Sequence, residues 1–584
     1  MGMINSRAHA CGGIACMSLA MIGLSMVFAS GCARSEPGQW SGPVLTETRS
    51  ALTHGDLSSG QVLPLMDMSF FARPHWARPA ETEFSGRLSV SETEMRFPLA
   101  RAHYAGENLF PAFSVDLISR NGELLPRNTK RIDTSKNGDS GWDVFVGVGR
   151  VWQEEEDGNW SRASFPINLT DRLVGSVRNC VGTFLYAETE ITNLYVQCSQ
   201  ETADILDNQI GDIRVSATAQ YEKTSFSDVE SIISRHARRR AARIPVRPLA
   251  EIDTQGEIAE YFSRVHATNA PTSNGAVYLG DTLYLHPPQT RHGAYPYPDE
   301  MRHGVYSVSK SLTGAVAMFY FAERYSEEIF DARIADYVPQ LSDRPEWQEV
   351  TFGNALDMAT GTRGGDELDK LFYPLMMADN KTDAINNIAA FGDDRPRPGQ
   401  KFNYTTTNFF VLSYALQNYV DEREGSGTPF WDLVQRDVLE PIGAASLDIM
   451  RTRDARPEDR LPVLGYGTRP TLDEAAKIAR LIADEGEHNR RQLLSRASIR
   501  RALGRTDWPG LKTQNRPDRY RHSFWARRFR LPSCRLEVPY MEGFGTNHVF
   551  ILPRGTIVLR FMDEFDWDMK SIIRAVDRVD PLCE

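Results

Sequence analysis

The chain has 584 residues, a formal net charge of −11 and a sequence pI near 5.7. That length suits roughly two or three domains, and 41% hydrophobic with 24% charged residues is an ordinary globular balance. The acidic balance argues against nucleic acid as a partner.

Residues 1–31 read as a removable targeting segment. Arg7 supplies a basic start, and an apolar, small-residue run follows from Gly12 to Phe28. Ala29-Ser30-Gly31-Cys32 resembles a bacterial lipobox, with alanine where leucine is usual. The resemblance implies cleavage before Cys32, lipidation of Cys32, and export to the bacterial cell envelope, lipid-anchored and facing the periplasm. A plain secretory signal with a nearby cysteine is the alternative. No later run is long and apolar enough to span a bilayer. Of seven cysteines, Cys11 and Cys16 would leave with the signal. Cys180, Cys198, Cys534 and Cys583 remain, an even number that permits two disulfides in an exported protein. Cys180–Cys198 with Cys534–Cys583 is the most local pairing; four buried thiols are the other reading.

Residues 32–60 are rich in Gly, Ser, Thr and Pro and read as a tether. Residues 61–225 carry short strand patterns with turns between them, predicting an all-β accessory domain in the form of a sandwich. Val144–Trp152 and a returning strand that carries Trp160 flank Glu154-Glu155-Glu156-Asp157-Gly158-Asn159, a hairpin signal. The acidic run reads as a solvated turn rather than a metal site. Further strands are expected at 182–188, 193–198 and 212–221. Residues 226–250 form a connector whose arginines, Arg235 to Arg247, suggest a solvated basic helix or a contact with anionic lipid headgroups.

The third region, 251–584, opens with a helix over 257–265 and a hairpin, 275–279 with 282–285. A mainly helical stretch fills 350–505. Strands return at 523–529, 548–552 and 556–561, and a helix covers 567–576. β elements at both ends around a helical middle predict one sheet with a helical insertion.

Within this region Ser307 and Lys310 form an S-x-x-K pair, and every other lysine lacks a serine three residues before it. The apolar run Ala315–Ala322 predicts a buried helix, with Ser307 in its first turn and Lys310 on the same face. A serine hydroxyl attacks a carbonyl only when a base removes its proton, and a desolvated lysine can be that base. The same short pattern also arises by chance in ordinary buried helices.

Several stretches together resemble the serine β-lactamase and penicillin-binding-protein superfamily, most closely its class C-like branch of esterases, carboxypeptidases and aminohexanoate-oligomer hydrolases. In family order they are Tyr306-Ser307-Val308-Ser309-Lys310-Ser311, Leu356–Gly361, Pro398–Tyr404, Pro441-Ile442-Gly443 and Gly543–Asn547. The resemblance implies an α/β (α+β) transpeptidase-like domain, an antiparallel sheet with a helical insertion, following the all-β domain. It implies Ser307 as nucleophile, Lys310 as base and Tyr404 as the third catalytic member. The oxyanion hole would be the backbone N–H groups of Ser307 and Phe544, with Thr406, Asn408, Gly543 and Gly545 at the substrate. No metal or cofactor is implied. The substrate would be a small-molecule or peptide-like ester or amide, and the membrane would be met through the N-terminal lipid.

Two departures redirect the expected specificity. The tyrosine motif commonly ends in asparagine, and here it is Tyr404-Thr405-Thr406, with Asn408 nearby as a substitute donor. The third motif commonly starts with lysine, and here the stretch is Val538-Pro539-Tyr540-Met541-Glu542-Gly543, without lysine and with Glu542 where a lysine would help. Without that cation a substrate carboxylate is poorly held, unless Arg527, Arg528 or Arg530 replaces it. The expected activity is therefore ester or amide hydrolysis rather than β-lactamase or D-Ala-D-Ala carboxypeptidase action. The alternative from another class is an inactive envelope binding protein on the same fold.

Overall fold

The computed structural model describes residues 43, 45–46, 48–97, 102, 104–201, 212–264, 274–362, 373–389, 397–514, 516–562 and 565–583. The targeting segment and Cys32 lie outside them. Among the described residues no helix is long and apolar enough to cross a membrane.

The segment expected as a tether is folded from residue 48 onward. Thr53 caps helix α1 (His54–Ser59) in a capping box with Asp56. Leu52 and Leu57 are buried with Val181, Leu185 and Tyr295. Two leucines among polar residues suffice to dock a short helix, a pattern that composition hides.

The accessory domain is one ten-stranded antiparallel sheet. Its strands are β1 (Ser85–Val90), β2 (Phe113–Arg120), β3 (Glu123–Pro126), β4 (Trp142–Val146), β5 (Gly149–Trp152), β6 (Ser161–Asp171), β7 (Val177–Tyr186), β8 (Leu194–Glu201), β9 (Arg214–Ala217) and β10 (Ala219–Lys223). The order is β9-β8-β7-β6-β5-β3-β2-β1-β10, with β4 also on β6. The two end strands, β9 and β10, are separated in sequence by Thr218 alone. One residue cannot span an open sheet, so the sheet curls into a barrel instead of the expected sandwich. β6 and β7 are buried along their whole length. One face fills the barrel and the other is covered by residues 52–71 and 295–301. Cys180 and Cys198, paired across β7 and β8, form a disulfide.

The acidic turn is not simply solvated. Glu154 and Asp157 are buried. Glu154 accepts from Arg49 Nη2 at 2.7 Å, and Asp157 from Arg162 Nη2 at 2.7 Å. The basic connector is likewise engaged. Helix α2 (Val229–Ala241) buries Ile232 with Ile118 and Leu125 of the barrel. Arg243 pairs with Asp299 at 2.9 Å, Arg239 with Glu300 at 3.2 Å, and Arg240 with Glu123 at 2.5 Å. These arginines join two parts of the fold, which argues against lipid as their partner.

Helix α3 (Glu257–Phe262) lies between the first and second strands of the second sheet, which has nine strands. They are β11 (Val246–Pro248), β12 (Asn274–Leu279), β13 (Thr282–His286), β14 (Leu511–Lys512), β15 (Arg519–Arg521), β16 (Phe524–Arg530), β17 (Arg535–Gly543), β18 (Asn547–Ile551) and β19 (Ile557–Phe561). The order β11-β13-β12-β19-β18-β17-β16-β15-β14 is antiparallel except for β11 on β13. The helical insertion expected from the sequence leaves after β13 and returns at β14, ahead of the strand expected at 523–529. Its main helices are α4 (Val316–Arg324), α5 (Thr407–Glu424) and α6 (Leu472–Ala483). The terminal helix α7 (Met569–Val579) buries Ile572, Ile573 and Val576 in the same core. Cys534 and Cys583 form a second disulfide.

Candidate active site

The expected nucleophile turn, which carries Ser307, is not the first turn of a regular helix. Tyr306–Val308 is a 3-10 turn, Lys310–Ala315 is π-helical, and α4 begins only at Val316. Tyr306 has φ +45°, a strained value for a residue with a side chain. Its ring packs edge-on against Phe544 at 5.5 Å. Wider π turns inside helices recur at functional sites. Here the turn directs Lys310 inward.

Lys310 is 1% exposed, and its Nζ has an acceptor for each of three protons. It donates to Ser307 Oγ at 2.8 Å, to Thr406 Oγ1 at 3.1 Å and to Gly465 O at 2.9 Å. The Tyr404 ring centroid lies 4.9 Å from Nζ, and that ring stacks on Trp525. The structure thus brings Ser307, Lys310 and Tyr404 together. Thr406 stands at the start of α5 and replaces the expected asparagine as a partner of the lysine. Asn408 does not substitute for it. It is buried, with its carboxamide against Thr360 and Met358, away from the cleft.

The end of β17 meets the nucleophile turn backbone to backbone. A Cβ on Gly543 would lie 2.1 Å from Val305 O and 3.2 Å from Ser307 N. Only a residue without a side chain allows this approach. Phe544 follows and lines the cleft beside Ser307. Gly545 does not line it: buried, with φ +73°, it turns the chain toward β18.

The cleft above Ser307 has a volume of about 530 Å³. Its walls include Tyr306, Phe402, Tyr404, Tyr466, Trp525, Phe544, Phe565 and Trp567. This aromatic lining is scattered over the chain and was not legible as a set. Nor was Arg516, whose guanidinium lies 5.0 Å from the Trp525 ring and 4.7 Å from that of Trp567. Arg516 Nη1 pairs with Glu542 at 2.5 Å, and His548 Nε2 lies 3.4 Å from the same carboxylate. Burial opposes charge on Glu542, but His548 and Arg516 outweigh it and hold the carboxyl below its usual range. Burial also holds the His548 imidazole below its usual range, so the cationic partner is Arg516. The arginines expected as substitutes serve elsewhere. Arg527 is paired with Asp518 and Arg528 with Glu537, and neither they nor Arg530 line the cleft. Among the described residues no group of three His, Cys, Asp or Glu is placed to hold a metal ion.

No curated protein matches this chain. Among solved structures, a family VIII carboxylesterase is 13% identical, with TM-score 0.43, over 57% of this chain and 98% of that one. A penicillin binding protein from Bacillus halodurans is 16% identical, with TM-score 0.41, over 57% and 98%. A D-stereospecific amidohydrolase from Streptomyces sp. is 15% identical, with TM-score 0.40, over 57% and 98%. Residues 275–559 match the Beta-lactamase family, a span that holds the nucleophile turn, the tyrosine motif and the glycine of β17. This second part of the chain is a domain of the Beta-lactamase family.

Proposed function

We propose that the protein hydrolyses ester or amide bonds through an acyl-enzyme on Ser307. The observation that carries the reading is the 2.8 Å contact between Lys310 Nζ and Ser307 Oγ at the floor of an aromatic cleft. With one proton released, Lys310 keeps Thr406 Oγ1 and Gly465 O as acceptors and turns its lone pair to Ser307, taking the hydroxyl proton as Oγ bonds to the carbonyl carbon. The carbonyl π pair moves to oxygen, which faces the N–H groups of Ser307 and Phe544. Collapse breaks the bond to the alcohol or amine, which leaves with a proton relayed through Tyr404. Water then adds to the acyl carbon, the bond from that carbon to Ser307 Oγ breaks as Oγ takes a water proton, and the carboxylic acid departs.

The cleft favours substrates without a carboxylate. Its arginine is already neutralised by Glu542, so an incoming carboxylate would have to displace a half-buried ion pair. A short p-nitrophenyl ester is therefore expected to give a burst of p-nitrophenol, the kinetic fingerprint of an accumulating acyl-enzyme. Its kcat/KM should exceed those for nitrocefin and a D-Ala-D-Ala peptide. Because the ester is intrinsically more reactive, Glu542→Gln is the needed comparison. Freeing Arg516 should raise turnover of the carboxylate substrates about tenfold, the scale of one charge-assisted hydrogen bond. Efficient nitrocefin turnover by the wild type would overturn the specificity, and absence of any burst or turnover would overturn the hydrolase.

The same proposal places the protein on the envelope through Cys32. Two disulfides in the folded part support an oxidising compartment. Cys32→Ser should move the protein from the membrane to the soluble periplasmic fraction. A wild type that is already soluble and carries no lipid would refute the anchor.

A further inference from the structure

One of the three acceptors that hold Lys310 belongs to a loop braced by the β domain. Gly465 O accepts from Lys310 Nζ at 2.9 Å, and the next residue, Tyr466, lines the cleft. Tyr466 is buried in one apolar cluster with Leu173, Val174, Met450 and Val463. Leu173 and Val174 belong to the turn between β6 and β7 of the barrel. That turn is locked from within, since Asp171 Oδ1 accepts from the backbone N–H groups of Leu173 and Val174 at 2.5 and 2.6 Å. Asp171 O also accepts from the buried Arg469, which pairs with Asp448 at 3.0 Å.

The turn reaches the nucleophile from a second side. Gly175, at φ +81°, completes it. A Cβ on Gly304, three residues before Ser307, would lie 2.5 Å from Gly175 O. The segment after Tyr466 then ties back to the nucleophile turn: Thr468 N donates to Ser309 Oγ at 3.0 Å and His303 N to Pro470 O at 3.1 Å. Asn179, at the start of β7, bonds Arg302 N and O at 3.0 and 2.8 Å. Barrel turn, loop 463–470 and nucleophile turn are one packed wedge.

We infer that residues 171–176 of the β domain are a positioning element for the hydrolytic site. They set the Gly465 carbonyl against Lys310, the Tyr466 ring against the substrate, and the start of the Ser307 turn. The barrel is a structural part of the active site rather than a separate module. This rests on the Ser307 reading above. Its physical basis is that a lysine held by contacts from three elements loses alignment when one element recedes, and a 1 Å misplacement can cost ~10²-fold.

The test is the double variant Leu173→Ala/Val174→Ala in the full chain, with active sites counted by complete fluorophosphonate labelling. Labelling stoichiometry should remain that of the wild type, while the acylation rate constant per labelled site falls about tenfold and kcat falls with it. Leu124→Ala, in the barrel core away from the turn, should leave the rate per labelled site unchanged. Val174→Ile should retain the wild-type rate. If the double variant does not fold, Val174→Ala alone carries the same expectation with a smaller slowing. Wild-type acylation in the wedge variants, or equal slowing in Leu124→Ala, overturns the inference. Continued labelling of Ser307→Ala would instead overturn the reading on which it rests.

Discussion

Ser307→Ala is expected to abolish covalent labelling by a fluorophosphonate and to lower kcat/KM on a p-nitrophenyl ester by about 10⁴-fold or more, as loss of a nucleophile does in enzymes whose catalytic groups act as a unit. The substitution removes one oxygen from a half-buried turn. Lys310 keeps Thr406 Oγ1 and Gly465 O as acceptors, so no buried ammonium is left without partners. Stability should therefore change by less than about 1 kcal/mol. Thermal unfolding beside the labelling assay separates lost chemistry from lost fold. Labelling at the wild-type rate would show that another residue is the nucleophile.

Gly543→Ala should give the second largest loss, about 10²- to 10³-fold in kcat, the scale of removing one oxyanion donor. The cause is space, not backbone conformation, because Gly543 has φ −133°, open to any residue. Its added methyl would fall 2.1 Å from Val305 O and 3.2 Å from Ser307 N. Both neighbours are backbone and cannot swing aside, so β17 must withdraw from the nucleophile turn. Withdrawal parts the N–H groups of Ser307 and Phe544, which need to converge on one oxygen. Overpacking of this kind costs about 1–3 kcal/mol of stability. Rates are therefore to be compared per labelled site, and a near-wild-type kcat would remove β17 from the oxyanion hole.

The residues nearest the chemistry were legible because their relations are local or strongly patterned. Ser307 and Lys310 stand three positions apart, and in any helical turn that spacing brings two side chains to one face. The hairpins at Gly275–Leu285 and around Glu154–Asn159 announced themselves through turn residues between apolar runs. The third-motif glycine could be placed because Gly543 and Gly545 flank a single residue, although only Gly543 proved to touch the site. Asn408 misled for the converse reason: two positions beyond Thr406 in a helix, it faces another way.

By itself, then, the sequence determined which side chains meet in the cleft, Ser307, Lys310 and Tyr404, and the sheet with its helical insertion. Tertiary structure decided the surroundings, since charge partners and enclosure depend on contacts distant in the chain. Glu154 looked like a solvated acid until Arg49, 105 positions away, was seen to bury with it. The barrel could not be told from a sandwich, because closure depends on where strands 214–217 and 219–223 pair, on opposite edges of the sheet. Arg516 and Glu542, 26 positions apart, set the charge of the cleft only because the β14–β15 loop folds over the end of β17. The brace on Lys310 runs from residue 173 through 466 to 310, a path that only packing can draw.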